Sequence, residues 1–199
     1  MKKLKSTFRS KYPFIIILSS IISFSFTTLF EKGDIKIYWS KDKLLTWDDF
    51  NGKPAKSSAY DADTDAGFEL HTSYKSDARS IVIELQAYFL KNKSCVKQDK
   101  KTDYLLKHEQ EHFDISEIHA RKFRKNLMEE KFKEKTFSKK LNELNSKYTN
   151  EQFKYQQLYD KESDHSRNEK KQLEWDVKIA KDLKELDKYS EPNFTVEVK

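Results

Sequence analysis

Residues 104–118, YLLKHEQEHFDISEI, contain a complete HExxH at His108, Glu109 and His112. On an α-helix, two histidines four residues apart sit one turn apart on one face, so both imidazoles reach a single ion. A glutamate beside the first can then take a proton from a water that the ion has acidified, which is the chemistry of a metalloprotease. The register supports a buried site: Leu105, His108, His112, Ile115, His119, Phe123 and Leu127 recur at spacings of three and four. The alternative is a neutral histidine pair packed in a core. Burying two imidazoles without partners costs a few kcal/mol, whereas a metal satisfies both.

A catalytic zinc has three protein ligands and one open position, so the motif needs a partner. A metzincin would place glycine and histidine three and six residues after His112, but Ile115 and Ile118 stand there, which excludes that class. His119 shares the face, yet seven helical residues rise about 10 Å, while ligands of one zinc lie within roughly 4 Å. Of the other histidines, His165 is the better placed, in the polar break DKESDHSRN before the last helical segment. Glu162, Asp164 and Glu169 are chemically acceptable rivals in the same turn. Tyr159 is a candidate to stabilise an oxyanion, although a packing tyrosine is the preferred reading. Asp114 and Glu117 stand either as acceptors from the ligand histidines or as surface residues.

The elements that must position these residues form an α+β pattern. Residues 31–98 read mainly as strands, at 35–39, 66–74 and 80–90, with turns near Asn51-Gly52 and Ser76-Asp77. The expected product is a small antiparallel sheet of three or four strands, laid down before long helices. An exposed sheet edge beside a metal site can align an extended peptide through main-chain hydrogen bonds. Residues 99–190 read as helices over about 102–135, 138–159 and 168–186. Thr102 or Asp103 caps the first, and Leu173, Val177, Ala180 and Leu183 face inward on the last, with Trp175 flanking. The run Asp61, Asp63, Asp65 resembles a calcium loop only superficially, because its sixth and twelfth positions are Ala66 and Thr72 rather than glycine and glutamate. It reads instead as a solvated acidic hairpin loop.

Composition narrows the function classes. The chain has 199 residues and a net charge of +6, enough for one ordinary domain plus a targeting segment. Three glycines and no GxGxxG or Walker sequence disfavour a phosphate-binding loop, and the single Cys95 has no partner for a disulfide or a thiolate zinc site. Lysines around residues 121–140 are interleaved with acids and lack aromatic partners, so nucleic acid is not an expected partner. Residues 1–30 read as a signal peptide or a retained membrane anchor. Lys2, Lys3, Lys5, Arg9 and Lys11 precede the apolar run 14–30, placing the remainder outside the inner membrane.

Three stretches taken together, LLTWDDFNGKP (44–54), LLKHEQEHFDISEIHAR (105–121) and YDKESDHSRNEKKQLEWDVKI (159–179), resemble the bacterial family of domain of unknown function 922, whose members are predicted secreted zinc-dependent proteases. The resemblance covers nearly all of the chain after residue 30, and HEQEHFD is its most specific part. It implies a zincin-like fold with His108 and His112 as ligands and Glu109 as base. The family's later motif resembles a tyrosine-aspartate pair followed by histidine and glycine; Tyr159, Asp160 and His165 are kept here, but Ser166 stands where glycine is usual. The expectation is an exported, Zn2+-dependent metallopeptidase acting on peptide or protein substrates, tethered to the inner membrane by residues 14–30 if they are retained. Its rival is a non-catalytic zinc-binding or structural envelope protein, against which the intact Glu109 stands.

Overall fold

The computed structural model describes residues 33–74 and 79–199. The export or anchor segment and the turn at Ser76-Asp77 therefore lie outside the described residues. No helix among the described residues is long and apolar enough to cross a membrane. The fold is mixed α+β, with one main antiparallel sheet and three long helices.

Strand β4 (Ser80–Leu90) is the spine of that sheet. Its alternation is strict: Ile81, Ile83, Leu85, Ala87 and Phe89 are buried, while the residues between them face the opposite, partly open side. Along one edge it pairs with β3 (Ala66–Tyr74) over the full length of β3. Along the other it pairs with β1 (Lys36–Tyr38) and with β6 (Asn193–Glu197). The ranges of β3 and β4 match the expected strands; β6 does not follow the expected order, because the last strand comes after the helices. A two-residue pair of β2 (Ala62–Asp63) with β5 (Cys95–Val96) carries the acidic run against the body of the protein. Asn51-Gly52 is no hairpin turn. Gly52 donates to the Ser94 carbonyl at 2.8 Å, and a Cβ there would sit 2.7 Å from the Lys93 carbonyl oxygen, so only glycine permits this docking.

Helix α1 (Asp103–Glu129) runs through the centre, capped by the Thr102 hydroxyl, which accepts from the Leu105 amide at 3.1 Å. It ends six residues earlier than the periodicity predicts. Phe132 is buried, pairs with Val198 and accepts from the Lys199 amide, and this tie to the carboxyl end holds residues 130–133 extended. One face of α1 packs Phe113, Ala120, Phe123 and Leu127 on the sheet. The other packs Ile115 and Ile118 against Tyr159, Trp175 and Ile179. Those last residues come from α2 (Phe137–Ser163) and α3 (Glu169–Glu185). Of the inner face expected for α3, Leu183 packs against this cluster, but Leu173, Val177 and Ala180 are exposed, and Gln172, Trp175 and Ile179 are buried in their place. A glutamine at the head of the true stripe disguised it, because its burial is set by hydrogen bonding rather than by hydropathy.

Arg124, only 2 % exposed, ties α1 to the sheet and to the carboxyl-terminal turn. Its guanidinium donates to Glu117 at 2.9 and 3.2 Å and to the carbonyls of Leu85 and Tyr189 at 2.9 Å. Removing one partner from a buried, fully bonded ion pair is strongly destabilising. Arg124→Leu is expected to lower unfolding free energy by about 3–5 kcal/mol, measured by denaturant titration. Adding Glu117→Gln should cost less than the two single changes summed.

Candidate metal centre

His108 and His112 lie on successive turns of α1 with their Nε2 atoms 3.2 Å apart and their rings nearly perpendicular. The third donor comes from the last turn of α2. Asp160 Oδ1 lies 3.0 Å from His112 Nε2 and 3.4 Å from His108 Nε2. His108, His112 and Asp160 form a group whose donor atoms are gathered closely enough to hold one metal ion. Asp160 completes the group where the sequence pointed to His165. The reason is that α2 continues four residues beyond its expected end at Tyr159, so Asp160 is helical and projects beside His112.

The amides of two glutamines set the imidazoles. His108 Nδ1 meets Gln172 Oε1 at 2.9 Å, and His112 Nδ1 meets Gln156 Oε1 at 2.6 Å. Each glutamine's own NH2 is committed elsewhere, Gln156 to the His112 carbonyl and Gln172 to Glu111, Tyr159 and Asp176. Their oxygens must therefore face the rings, both Nδ1 atoms carry hydrogen, and both Nε2 atoms point at the same spot, free to ligate once any proton on them has left. Asp114 and Glu117 do not serve in this way: Asp114 accepts from Trp39 Nε1 and Gln110, and Glu117 binds Arg121 and Arg124. Glutamines carry no ligand signature, and only their places, one on each helix that faces α1, could have singled them out.

Tyr159, fully buried, stacks on His108 with ring centroids 4.6 Å apart and meets His112 edge-on at 4.9 Å. Its hydroxyl donates to Glu111 at 2.8 Å and accepts from Gln172, so it braces the histidines and is turned away from the cavity beside them. That is the packing role. Burial and the neighbouring Asp176 carboxyl push Glu111 up to about 8. Burial opposes protonation of His112, but the Asp160 carboxylate outweighs it and lifts the imidazole to about 9. Asp160 itself resists burial through the two histidines, which hold it far below the usual carboxylate range.

Glu109 is 3 % exposed, and burial pushes its carboxyl upward against the pull of both histidines. The Thr64 hydroxyl donates to its Oε2 at 2.6 Å, so the acidic run at residues 61–65, read as a solvated loop, in fact brings a positioning group to the site. His165 lines the same cavity, with Nδ1 3.5 Å from Asp160 Oδ1 and its ring tilted against that of Tyr60, centroids 4.4 Å apart. Asp164, His165 and Ser166 all have positive φ, at 49, 51 and 70°, a conformation that favours glycine. The turn closes because the His165 amide donates to the Asp160 carbonyl and the Asn168 amide to that of Ser163. Glu162 accepts from Trp175 Nε1 and Asp164 binds Arg167, which occupies both rivals; Glu169 is exposed at the start of α3.

The donors and Glu109 open into a cavity of about 500 Å³ walled by residues 59–64, the edge of β3 and one face of α2. Comparisons with protein-family models, with curated proteins and with solved structures found no match to this chain.

Asp160→Ala is expected to abolish stoichiometric metal binding by the full chain, and His165→Ala to leave it in place; metal analysis after dialysis reads both. Gln172→Leu and Gln156→Leu should each weaken binding about 10–100-fold. The sign of the pH dependence follows from His112. With its metal-free value raised to about 9, a proton must leave before its Nε2 can ligate, so affinity should climb with pH and level off near 9. A flat affinity between pH 6 and 8 would contradict the raised proton affinity of His112 in the metal-free site.

Proposed function

We propose that this protein is an exported zinc-dependent peptidase of zincin-like type, in which His108, His112 and Asp160 hold the ion and Glu109 acts as general base. The observation that carries the reading is the spacing of the donor group beside a buried glutamate. Two donors on a tetrahedral zinc at about 2.0–2.1 Å stand roughly 3.3–3.4 Å apart, and the three distances here are 3.0, 3.2 and 3.4 Å. Two imidazoles and one carboxylate also match the N/O chemistry of catalytic zinc, with a position left open toward the cavity. The resemblance to domain of unknown function 922 points the same way.

Zinc held there supplies Lewis acidity toward a carbonyl oxygen and makes water more acidic. The chain's own residues do the rest. Glu109 takes one proton from water as the water oxygen bonds to the scissile carbon, and passes that proton to the amine nitrogen as the C–N bond breaks. Its raised affinity for a proton suits both halves of the transfer, and Thr64 fixes which oxygen faces the reaction. Tyr159, Gln156 and Gln172 keep the two imidazoles from rotating.

The sheet edge supports a peptide substrate. The Leu90 amide donates to the Asp65 carbonyl, which sets the alternation of the β3–β4 ladder; the main-chain groups of Ala66, Phe68 and Leu70 then face outward into the cavity. Gln152 confirms the direction by donating to the Ala66 carbonyl at 3.2 Å. No other strand of the described residues pairs along this edge. The site would work outside the inner membrane, with residues 14–30 serving as export signal or tether.

The full chain is expected to carry one zinc and to cleave members of a mixed peptide library, with Glu109→Gln keeping the zinc and losing about 100- to 10,000-fold in rate, the scale of other proton-transfer groups. Stoichiometric zinc with no cleavage by the wild type would replace the peptidase with a zinc-binding envelope protein. Absence of bound zinc would remove both readings.

A further inference from the structure

One face of α2 carries a file of uncharged polar side chains leading to the metal centre, flanked by the exposed Phe153, which lines the same cavity. Asn145, Thr149, Gln152 and Gln156 precede Asp160 at helical steps of three and four, and all five line the cavity opposite the outward edge of β3. Gln156 is committed to His112, and Gln152 to Ala66 and Ser116. The side chains of Asn145, half-buried, and Thr149, exposed, make no hydrogen bond among the described residues, and a core of Leu141, Leu144 and Tyr148 lies on the adjoining side of the same turns. A polar stripe beside a core stripe, facing a cavity and unpartnered, is what a hydrogen-bonding wall needs.

We propose that Asn145 and Thr149 form a distal subsite that binds the main chain of an extended substrate from the side opposite β3. The proposal rests on the peptidase reading. An added strand offers amides and carbonyls to both sides: those facing β3 meet Phe68 and Leu70, and the others face α2. Four helical residues rise about 6 Å, close to the roughly 6.6 Å repeat of same-side groups in a strand, so the two files stay in step over a few residues. The two elements run in opposite directions, since Gln152 meets Ala66 while Tyr148 stacks on Phe123, which touches Phe68. The subsite therefore lies alongside Phe68 and Leu70. From Gln156 to Thr149 the rise is about 10 Å and to Asn145 about 16 Å, or about three and five residues of extended chain. Uncharged groups aimed at main chain select for extension and length rather than for side-chain identity. The substrates are thus unfolded or looped polypeptide segments reaching at least five residues to one side of the scissile bond.

The test uses zinc-loaded, full-length Glu109→Gln, so that binding is read without turnover, and fluorescein-labelled Ala/Ser peptides of four to twelve residues. Anisotropy should show affinity rising roughly tenfold in total as length passes from about four to about eight residues and then levelling, the effect of one or two ordinary hydrogen bonds. Asn145→Leu with Thr149→Val should erase that gain while leaving the shortest peptides unchanged, and Thr149→Ser should retain it. A length gain that survives the double substitution, or binding of short peptides with no gain at all, overturns the subsite and leaves the peptidase reading standing. Failure of every peptide to bind overturns both.

Discussion

Helix α1 must bury chemistry as well as hydrocarbon, and the rest of the molecule is built around satisfying it. Seventeen of its residues are buried, and ten of these are polar or charged: three histidines, three glutamates, a glutamine, a serine and two arginines. Each unsatisfied group of this kind would cost on the order of 1–3 kcal/mol, more for a charge. The structure answers each in place. Arg121 and Arg124 neutralise Glu117, Gln110 bonds Asp114 and Leu45, His119 bonds the Ile115 carbonyl, and Ser116 meets Gln152. Neighbouring elements are therefore held by directional bonds as well as by packing, which fixes the rotation of α1 about its axis. That rotation decides whether His108 and His112 look into the cavity.

The sheet was the more legible part of the sequence. Alternation in residues 80–90 survives intact because every second residue faces one hydrocarbon core and the others face water, so hydropathy and burial coincide. The helix boundaries were less so. Residues 130–133 have the composition of a helix, and only a long-range tie between Phe132 and the chain's last two residues makes them extended. On α3 the buried face departs from the hydropathy pattern for a related reason. Gln172 is buried by what it bonds, and a stripe that begins with a buried amide looks weaker than the exposed Leu173-Val177 pair beside it.

The site divides the same way. His108, Glu109 and His112 depend on spacing along one helix, which a sequence states directly. Asp160 depends on how far α2 continues and on where a three-residue left-handed turn then sends the chain, and neither follows from periodicity. The tyrosine-aspartate pair was visible as a motif, yet the nearby histidine had the stronger ligand chemistry. His165 is indeed delivered to the cavity by the predicted turn. The helix end arrives first, and its carboxylate lies between the imidazoles and that ring.

The choice of glutamines behind the histidines has an electrostatic consequence. A carboxylate bonded to Nδ1 would add further negative charge to a pocket that already holds Asp160 and Glu109, and would hold still more tightly the proton that a metal must displace from His112. An amide oxygen fixes the same tautomer and orientation while adding no net charge. Negative charge within the donor group then resides on Asp160 alone, placed where a divalent cation is the natural counter-ion. On the far side of the rings, burial and Asp176 push the Glu111 carboxyl up to about 8, and the Lys107 ammonium pairs with Asp176. Behind the imidazoles the protein is close to neutral. In front of them it presents one aspartate for the ion and one glutamate, steered by Thr64, for the proton.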